Sequence, residues 1–195
     1  MDANYAAAIF GGLIKVYDDT MDNPVIAQHS TPPFMEMVKV LIIASFTYAS
    51  LHHMNLPIFI FITHYIHYLI ADQESLATHF YYAGMIIAFV LSIITWDTSQ
   101  LSVLLLVMII LFILGGYIDH RFFPEEYSWK KIIWRAMWSV ELIVSMQFSI
   151  FEPCYSILFF CVGYFIVSVL TMTYAQCSQT PIEHIKELIK DTHTE

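Results

Sequence analysis

Charged side chains are scarce in this sequence, and that scarcity decides its class. Only 13% of its 195 residues are charged, whereas 58% are hydrophobic, and the mean hydropathy is +0.63. Soluble domains carry about 25% charged residues, so the chain lacks the polar surface of a soluble domain. It also lacks the alternating segments of about ten residues that build a transmembrane β-barrel. We therefore predict an all-α protein, a polytopic transmembrane helix bundle that is integral to the membrane and multi-pass.

Cysteine and basic residues are scarce as well. Cys154, Cys161 and Cys177 show neither a pairing pattern nor the spacing of metal ligands, which favours simple packing roles. Only eight basic residues oppose 17 acidic ones, for a net charge of −9. A nucleic-acid partner would favour a basic face, so we predict none. The first apolar stretch also lacks the basic segment that begins a signal peptide.

Long apolar stretches are what the chain has in abundance. Most of them approach the roughly 20 residues that cross a hydrocarbon core about 30 Å thick. They run over 3–17, 34–51, 55–71, 79–96, 100–118, 132–150 and 153–175. We predict about seven spans, packed as one transmembrane helical bundle over residues 1–175, with the lipid bilayer as their partner.

The composition changes after the last of these stretches. Thr180-Pro181-Ile182-Glu183 is a capping box with proline at the first helical position, followed by an apolar stripe opposite charged residues. This pattern predicts a cytoplasmic amphipathic tail over 176–195. The tail helix would lie along the membrane interface, with a partner-binding helix as the alternative.

The basic residues predict the orientation of the bundle. With seven spans, all eight fall on the side of the membrane to which the first stretch leads, and the opposite loops contain none. They are Lys15, Lys39, Arg121, Lys130, Lys131, Arg135, Lys186 and Lys190. Cytoplasmic loops carry an excess of Lys and Arg. We therefore predict that the N-terminus is outside and the C-terminus is cytoplasmic.

An acidic cluster closes the first apolar stretch. Asp22 follows Asp18 and Asp19 by four and three residues, so the three carboxylates share one face of a helix. Neighbouring carboxylates repel one another unless solvent or a hard divalent cation such as Mg²⁺ relieves them. The cluster therefore predicts either a magnesium site or a solvated acidic surface.

The fifth stretch ends in a similar way. Gly115-Gly116 precedes Asp119 much as Gly11-Gly12 precedes the first cluster. Small residues let transmembrane helices approach closely, so we predict that these two helix ends face each other. The alternative is that the glycine pairs only pack and the acids only face the cytosol. If the ends do meet, Mg²⁺ held by the acids would bind a diphosphate. The nearby bases would neutralise the departing phosphates: Arg121, Lys130, Lys131 and Arg135.

The pattern resembles the UbiA superfamily of intramembrane prenyltransferases. Asp18-Asp19-Thr20-Met21-Asp22 is similar to the Asp-rich motif that closes one helix in that family, and Asp119 begins a similar second motif, with three helices between the two. The chain departs from the family pattern at Ile26 and Phe123, where further Asp residues are usual. It also has seven predicted spans where the family has nine.

The resemblance implies a Mg²⁺-dependent intramembrane prenyltransferase or terpene cyclase that acts on an isoprenyl diphosphate. It assigns Asp19 to catalysis as well as to metal binding. The implied metal ligands are Asp18, Asp19, Asp22 and Asp119, and the implied diphosphate ligands are Arg121, Lys130 and Lys131.

Glu141 is a further predicted site residue. Glu141 lies at mid-depth in the sixth stretch, where an acid is costly and usually functional. As a second catalytic residue it would stabilise a carbocation in an apolar cavity. The alternatives are a proton or cation site and a protonated group that donates a hydrogen bond.

The rival function is non-enzymatic. The chain would then be a transporter, a channel or a membrane assembly subunit with an acidic cytoplasmic vestibule.

Overall fold

Helices make up all the regular secondary structure of residues 2–53, 55–71, 103–123 and 128–192, which are the residues that the computed structural model describes. The predicted all-α class is confirmed for this part of the chain. A 3₁₀ helix, Ser149–Cys154, leads directly into the last of the α-helices. The α-helices are α1 (Ala3–Asp22), α2 (Pro24–Ala27), α3 (Pro32–His52), α4 (Asn55–Ala71), α5 (Val103–Phe122), α6 (Trp129–Ser145) and α7 (Tyr155–Thr192).

Among the residues that the structure describes, three helical segments are long and apolar enough to cross a membrane. They are Pro32–His52, Val103–Phe122 and Ser149–Ser178. Large apolar side chains on them, such as Val40, Leu106 and Leu170, are exposed at the surface of the bundle. Extended apolar surface of this kind suits contact with lipid rather than water, so the chain has the character of a membrane protein. The fourth predicted stretch, 79–96, lies outside the described residues.

Local sequence explains where several helices begin and end. Asp2 caps α1 by accepting a hydrogen bond from the Asn4 N–H at 2.8 Å. The helix continues past the apolar stretch to Asp22 and so carries the whole acidic cluster. It ends before Pro24, which lacks the N–H that a continuing helix needs. At the other end of the chain, α7 runs unbroken from Tyr155 to Thr192, so no separate helix begins at Pro181.

Glycines set the closest helix contact, which joins α1 to α7. A Cβ atom added at Gly11 would lie 2.1 Å from the Phe160 carbonyl oxygen, and one added at Gly163 would lie 2.0 Å from that of Ala8. The two backbones are thus nearly in contact. Gly115 of α5 instead lies against Trp138 of α6. The two Gly-Gly pairs therefore pack against different helices, and α7 supplies its own glycine to the contact with α1.

A layer of phenylalanines forms the middle of the core. Phe10 stacks on Phe46 with ring centroids 4.6 Å apart, and it lies 5.4 Å from Phe160. Phe59 contacts Phe160 edge to face at 6.3 Å. Each ring comes from a different helix, α1, α3, α4 or α7. This phenylalanine layer separates the polar side chains at one end of the bundle from those at the other.

Candidate functional site: a charged network beside an aromatic cavity

The acids of α1 are paired with a lysine of the same helix. Lys15 Nζ lies 2.5 Å from Asp19 Oδ1 and 3.1 Å from Asp18 Oδ2. Lys15 and Asp19 are almost completely buried, at 4% and 2% exposed. Thr171 of α7 donates a hydrogen bond to Asp19 Oδ2, and Lys15 Nζ lies 5.5 Å from the centre of the Tyr164 ring. The acidic end of α1 is therefore fastened to α7.

Asp119 of α5 is paired with two bases of α6. Arg135 donates to its two carboxylate oxygens, at 2.8 Å from Nη2 and 3.3 Å from Nε. Such a forked contact is among the stronger hydrogen-bonded ion pairs in proteins. Lys131 Nζ lies 3.3 Å from Asp119 Oδ2, and Arg135 Nη1 also donates to Ser168 Oγ of α7. This group therefore joins α5, α6 and α7.

The two groups form one charged network across four helices, because α7 carries a partner for each. Ser168 and Thr171 are three residues apart and so share a face of α7. The network contains three cations and three carboxylates, which balance: Lys15, Lys131 and Arg135 against Asp18, Asp19 and Asp119. Burying an ion is costly, and pairing with hydrogen bonds offsets that cost. The network is therefore stable only while it is complete.

A cavity of about 360 Å³ opens beside the network, between α4, α5, α6 and α7. Binding pockets for small molecules typically measure about 300–1,000 Å³. Its walls are mainly aromatic and glycine, and Asp119, Lys131 and Arg135 form its polar part. The lining comprises Thr63, Phe112, Ile113, Gly115, Gly116, Tyr117, Asp119, His120, Lys131, Trp134, Arg135, Trp138, Tyr164 and Phe165. The cavity is thus amphipathic, with apolar walls and a charged side.

The structure brings some of the predicted site residues together and separates others. Asp18, Asp19, Asp119 and Lys131 all belong to the charged network. The remaining four are exposed and lie outside the cavity lining: Asp22, Arg121, Lys130 and Glu141. Arg121 and Lys130 are direct neighbours of the lining residues His120 and Lys131. Glu141 lies on the exposed surface of α6, where its carbonyl oxygen accepts a hydrogen bond from Ser145.

The acids do not fit Mg²⁺ in this arrangement. Among the described residues, no group of three or more His, Cys, Asp or Glu side chains is placed to hold a metal ion. Carboxylate oxygens that would bind Mg²⁺ instead contact the Lys15 and Lys131 ammonium groups and the Arg135 guanidinium. A magnesium ion would have to displace these bases.

Sequence reasoning missed three members of this site: Lys15 as the partner of the acids, and the hydroxyls of Ser168 and Thr171. Each had a signal in the sequence. Lys15 precedes Asp18 and Asp19 by three and four residues, the spacing of a helical ion pair. Ser168 and Thr171 place two hydroxyls on one face of a strongly apolar helix. What these signals could not supply is which helix lies opposite.

No family model, curated protein or solved structure matches this chain. The charges, the lining and the volume of the site indicate what it can bind.

Proposed function

We propose that this chain is a polytopic, multi-pass membrane protein that binds an isoprenyl diphosphate and acts on it as a prenyltransferase or terpene cyclase. The observation that carries the proposal is the cavity, whose aromatic walls meet a cluster of buried charges. An isoprenyl diphosphate has the same division, with an apolar hydrocarbon tail joined to a compact, highly charged anion. The aromatic walls would hold the tail and the charged side would hold the head.

Lys131 and Arg135 are the bases placed to bind the diphosphate. Both line the cavity, and both now contact Asp119. A diphosphate would replace Asp119 as their partner, and the planar guanidinium of Arg135 suits two phosphate oxygens at once. Arg121 and Lys130, exposed beside the cavity residues, would attract the anion towards the cavity.

Magnesium dependence remains a prediction from the sequence. Asp18, Asp19, Asp22 and Asp119 are its predicted ligands, and in this arrangement at least three of them are held by bases. We therefore assign no step of the reaction to Mg²⁺. The assay below includes the ion as a variable, so that a requirement for it is measured directly.

The proposed topology has seven spans, with the N-terminus outside and the C-terminus cytoplasmic. The charged network would then lie at the cytoplasmic end of the bundle, where α1 and α5 end and α6 begins. This is the side from which a water-soluble diphosphate head would enter, while the tail would reach the cavity through the apolar part of the bundle.

A second candidate function is non-enzymatic, and the charge balance of the network favours it. A complete set of ion pairs can fasten α1, α5, α6 and α7 together without any ligand. In that case the protein would be a membrane assembly subunit or a transporter, and the network would serve to fix the helices.

An assay of diphosphate release separates the two functions. Purified protein in lipid nanodiscs is incubated with geranyl or farnesyl diphosphate, with and without Mg²⁺, and released diphosphate and prenyl products are quantified. We expect turnover that falls at least about tenfold in Lys131→Met, since removing a hydrogen bond to a charged group typically loses about 1.5–3 kcal/mol. Asp19→Ala tests the predicted catalytic acid in the same assay.

Lys39→Met is the matched control, because Lys39 is a lysine of α3 whose partner is the exposed Glu36. Its turnover should equal that of the unmodified protein. If neither geranyl nor farnesyl diphosphate binds or turns over under any condition, the enzymatic proposal is wrong and the non-enzymatic function takes its place.

A further inference from the structure

A second set of buried polar groups lies at the end of the bundle opposite the charged network. Ser50 of α3, Asn55 of α4 and Ser156 of α7 are 4%, 3% and 2% exposed. Ser50 Oγ, Asn55 Oδ1 and Ser156 Oγ have no hydrogen-bond partner in the part of the chain that the structure describes. More than about 90% of buried polar groups in native structures have one. Three such atoms in one region of the core point to a ligand that they share.

These three residues lie at the same level of the bundle. Each is four residues from a ring of the phenylalanine layer and on the same helix face: Ser50 from Phe46, Asn55 from Phe59, and Ser156 from Phe160. The three rings are connected through Phe10 and Phe160. We call Ser50, Asn55 and Ser156 the uncharged polar layer. On α7, Ser156 and Thr171 of the charged network are separated by about 22 Å along the helix axis.

Two further observations describe the packing around this layer. The Asn55 side chain donates from Nδ2 to the Pro153 carbonyl oxygen at 2.9 Å, which fixes the start of α4 close to the start of α7. On α1, the residues one turn beyond Phe10 are Ala6 and Ala7, both fully buried. Small side chains of this kind allow neighbouring helices to approach closely.

Ser50 differs from the other buried hydroxyls of the helices. Ser45 donates to the carbonyl of Leu41 at 2.7 Å, and Thr63 donates to that of Phe59 at 2.7 Å. This bond to the preceding turn is the usual way for a helical Ser or Thr to satisfy its hydroxyl in an apolar setting. The Ser50 hydroxyl lacks this bond, so its donor and its acceptor are both available to a ligand.

We propose that the uncharged polar layer binds ordered water. Asn55 Oδ1 can only accept hydrogen bonds, which disfavours an anion at this atom. Ser50, Asn55 and Ser156 are uncharged, and a buried cation is costly unless an opposite charge is paired with it, which disfavours a cation. Water both donates and accepts, and it needs two to four polar partners, which the layer supplies.

A double-mutant cycle on Ser50 and Ser156 tests the proposal in the full-length protein in detergent. Water shared by both hydroxyls predicts that Ser50→Ala and Ser156→Ala each lower the Tm, by about 2–4 °C for a chain of this size. The double variant should lose less than the sum, because the first substitution already disrupts the shared water. Ser45→Ala is the matched control, and its effect should add to that of Ser156→Ala.

Three outcomes would overturn the proposal. A higher Tm for Ser50→Ala would show that the hydroxyl is simply unsatisfied, because removing such a group stabilises the core. Full additivity of Ser50 and Ser156 would show that they share nothing. A Tm that is higher in sodium chloride than in choline chloride, with the difference lost in Ser50→Ala, would identify a sodium ion instead. If an alanine variant does not fold, Ser50→Cys and Ser156→Cys, which nearly preserve volume, replace it in the same cycle.

Discussion

The two ends of this helix bundle bury different kinds of polar group. At one end, three carboxylates and three bases form ion pairs, the hydroxyls of Ser168 and Thr171 join these pairs to α7, and an amphipathic cavity lies beside them. At the other end, Ser50, Asn55 and Ser156 are uncharged, and Ser50 Oγ, Asn55 Oδ1 and Ser156 Oγ have no hydrogen-bond partner among the residues that the structure describes. Charged groups in an apolar core must be paired, whereas single neutral groups can be satisfied by water. The difference identifies the charged end as the one where ion pairs and their hydrogen bonds join the helices directly.

The largest expected effect comes from breaking the charged network. Asp119→Leu leaves Lys131 and Arg135 buried without their shared partner, and removing one member of a buried pair costs about 3–5 kcal/mol. We expect a large drop in Tm, measured by thermal unfolding in detergent. Glu36→Leu, which removes the exposed partner of Lys39, is the matched control and should change stability by less than about 1 kcal/mol. Equal effects of the two substitutions would show that the network contributes no more than a surface pair.

Two substitutions on α1, made singly and together, test the same dependence of stability on buried ion pairs. Lys15→Met should destabilise the protein by about 3 kcal/mol or more, because Asp19 is then a buried carboxylate without its base. Adding Asp19→Asn removes that charge and should restore much of the loss. The coupling between the two substitutions, obtained from the four unfolding curves, should exceed about 1 kcal/mol. Simple additivity would mean that the 2.5 Å contact does not govern stability.

A smaller effect on stability is expected from disrupting the contact between α1 and α7. Gly11→Ala places a methyl group against the Phe160 carbonyl oxygen and should cost about 1–3 kcal/mol through overpacking. Gly116→Ala, on α5, adds a methyl group at a glycine that lines the cavity, and the better helix propensity of Ala should leave stability unchanged or slightly higher. Thermal unfolding of both variants checks the difference. A Gly11→Ala protein as stable as Gly116→Ala would contradict the close approach of these backbones.

The smallest expected effect is on the pH dependence of stability, near the uncharged polar layer. Burial, together with the neighbouring His52, lowers the pKa of His53, which follows α3; Asp2 opposes this weakly. The folded protein therefore favours the neutral imidazole. The stability that the neutral His53 imidazole contributes is present above its ordinary pKa of about 6.5. That stability is lost as the pH falls through the lowered pKa of the folded protein. His53→Gln should flatten the decline in Tm below about pH 6.5, and a decline of unchanged steepness would show that other groups cause it.

Much of the helical framework could be predicted from the sequence, because length and apolar content are local properties. The acids at the end of the first stretch share one helix as expected, and Asp119 ends another. The sequence did not predict that α6 ends at Ser145 or that α7 runs on through Pro181. Such boundaries depend on capping and on tertiary packing as well as on hydropathy.

The site was harder to predict, since its contacts join distant parts of the chain. The sequence identified Asp18, Asp19, Asp119 and Lys131, but it linked the acids to Mg²⁺, whereas in the structure each of these acids contacts a base. Glu141, chosen because it is an acid at mid-depth of a predicted span, is exposed and lies outside the cavity lining. Residue type indicates what a side chain can bind, while only its neighbours decide what it does bind.

The sequence by itself determined the apolar, all-helical character of the described residues, because long apolar stretches without the alternation of barrel strands satisfy their backbone hydrogen bonds as helices. It also determined the face that Asp18, Asp19 and Asp22 share, through the fixed period of the helix. Only the tertiary structure decided that α7 lies against α1, where Thr171 reaches Asp19 across 152 residues of sequence. The physical reason is that helix formation follows local periodicity, whereas ion pairing and cavities follow from which helices pack together.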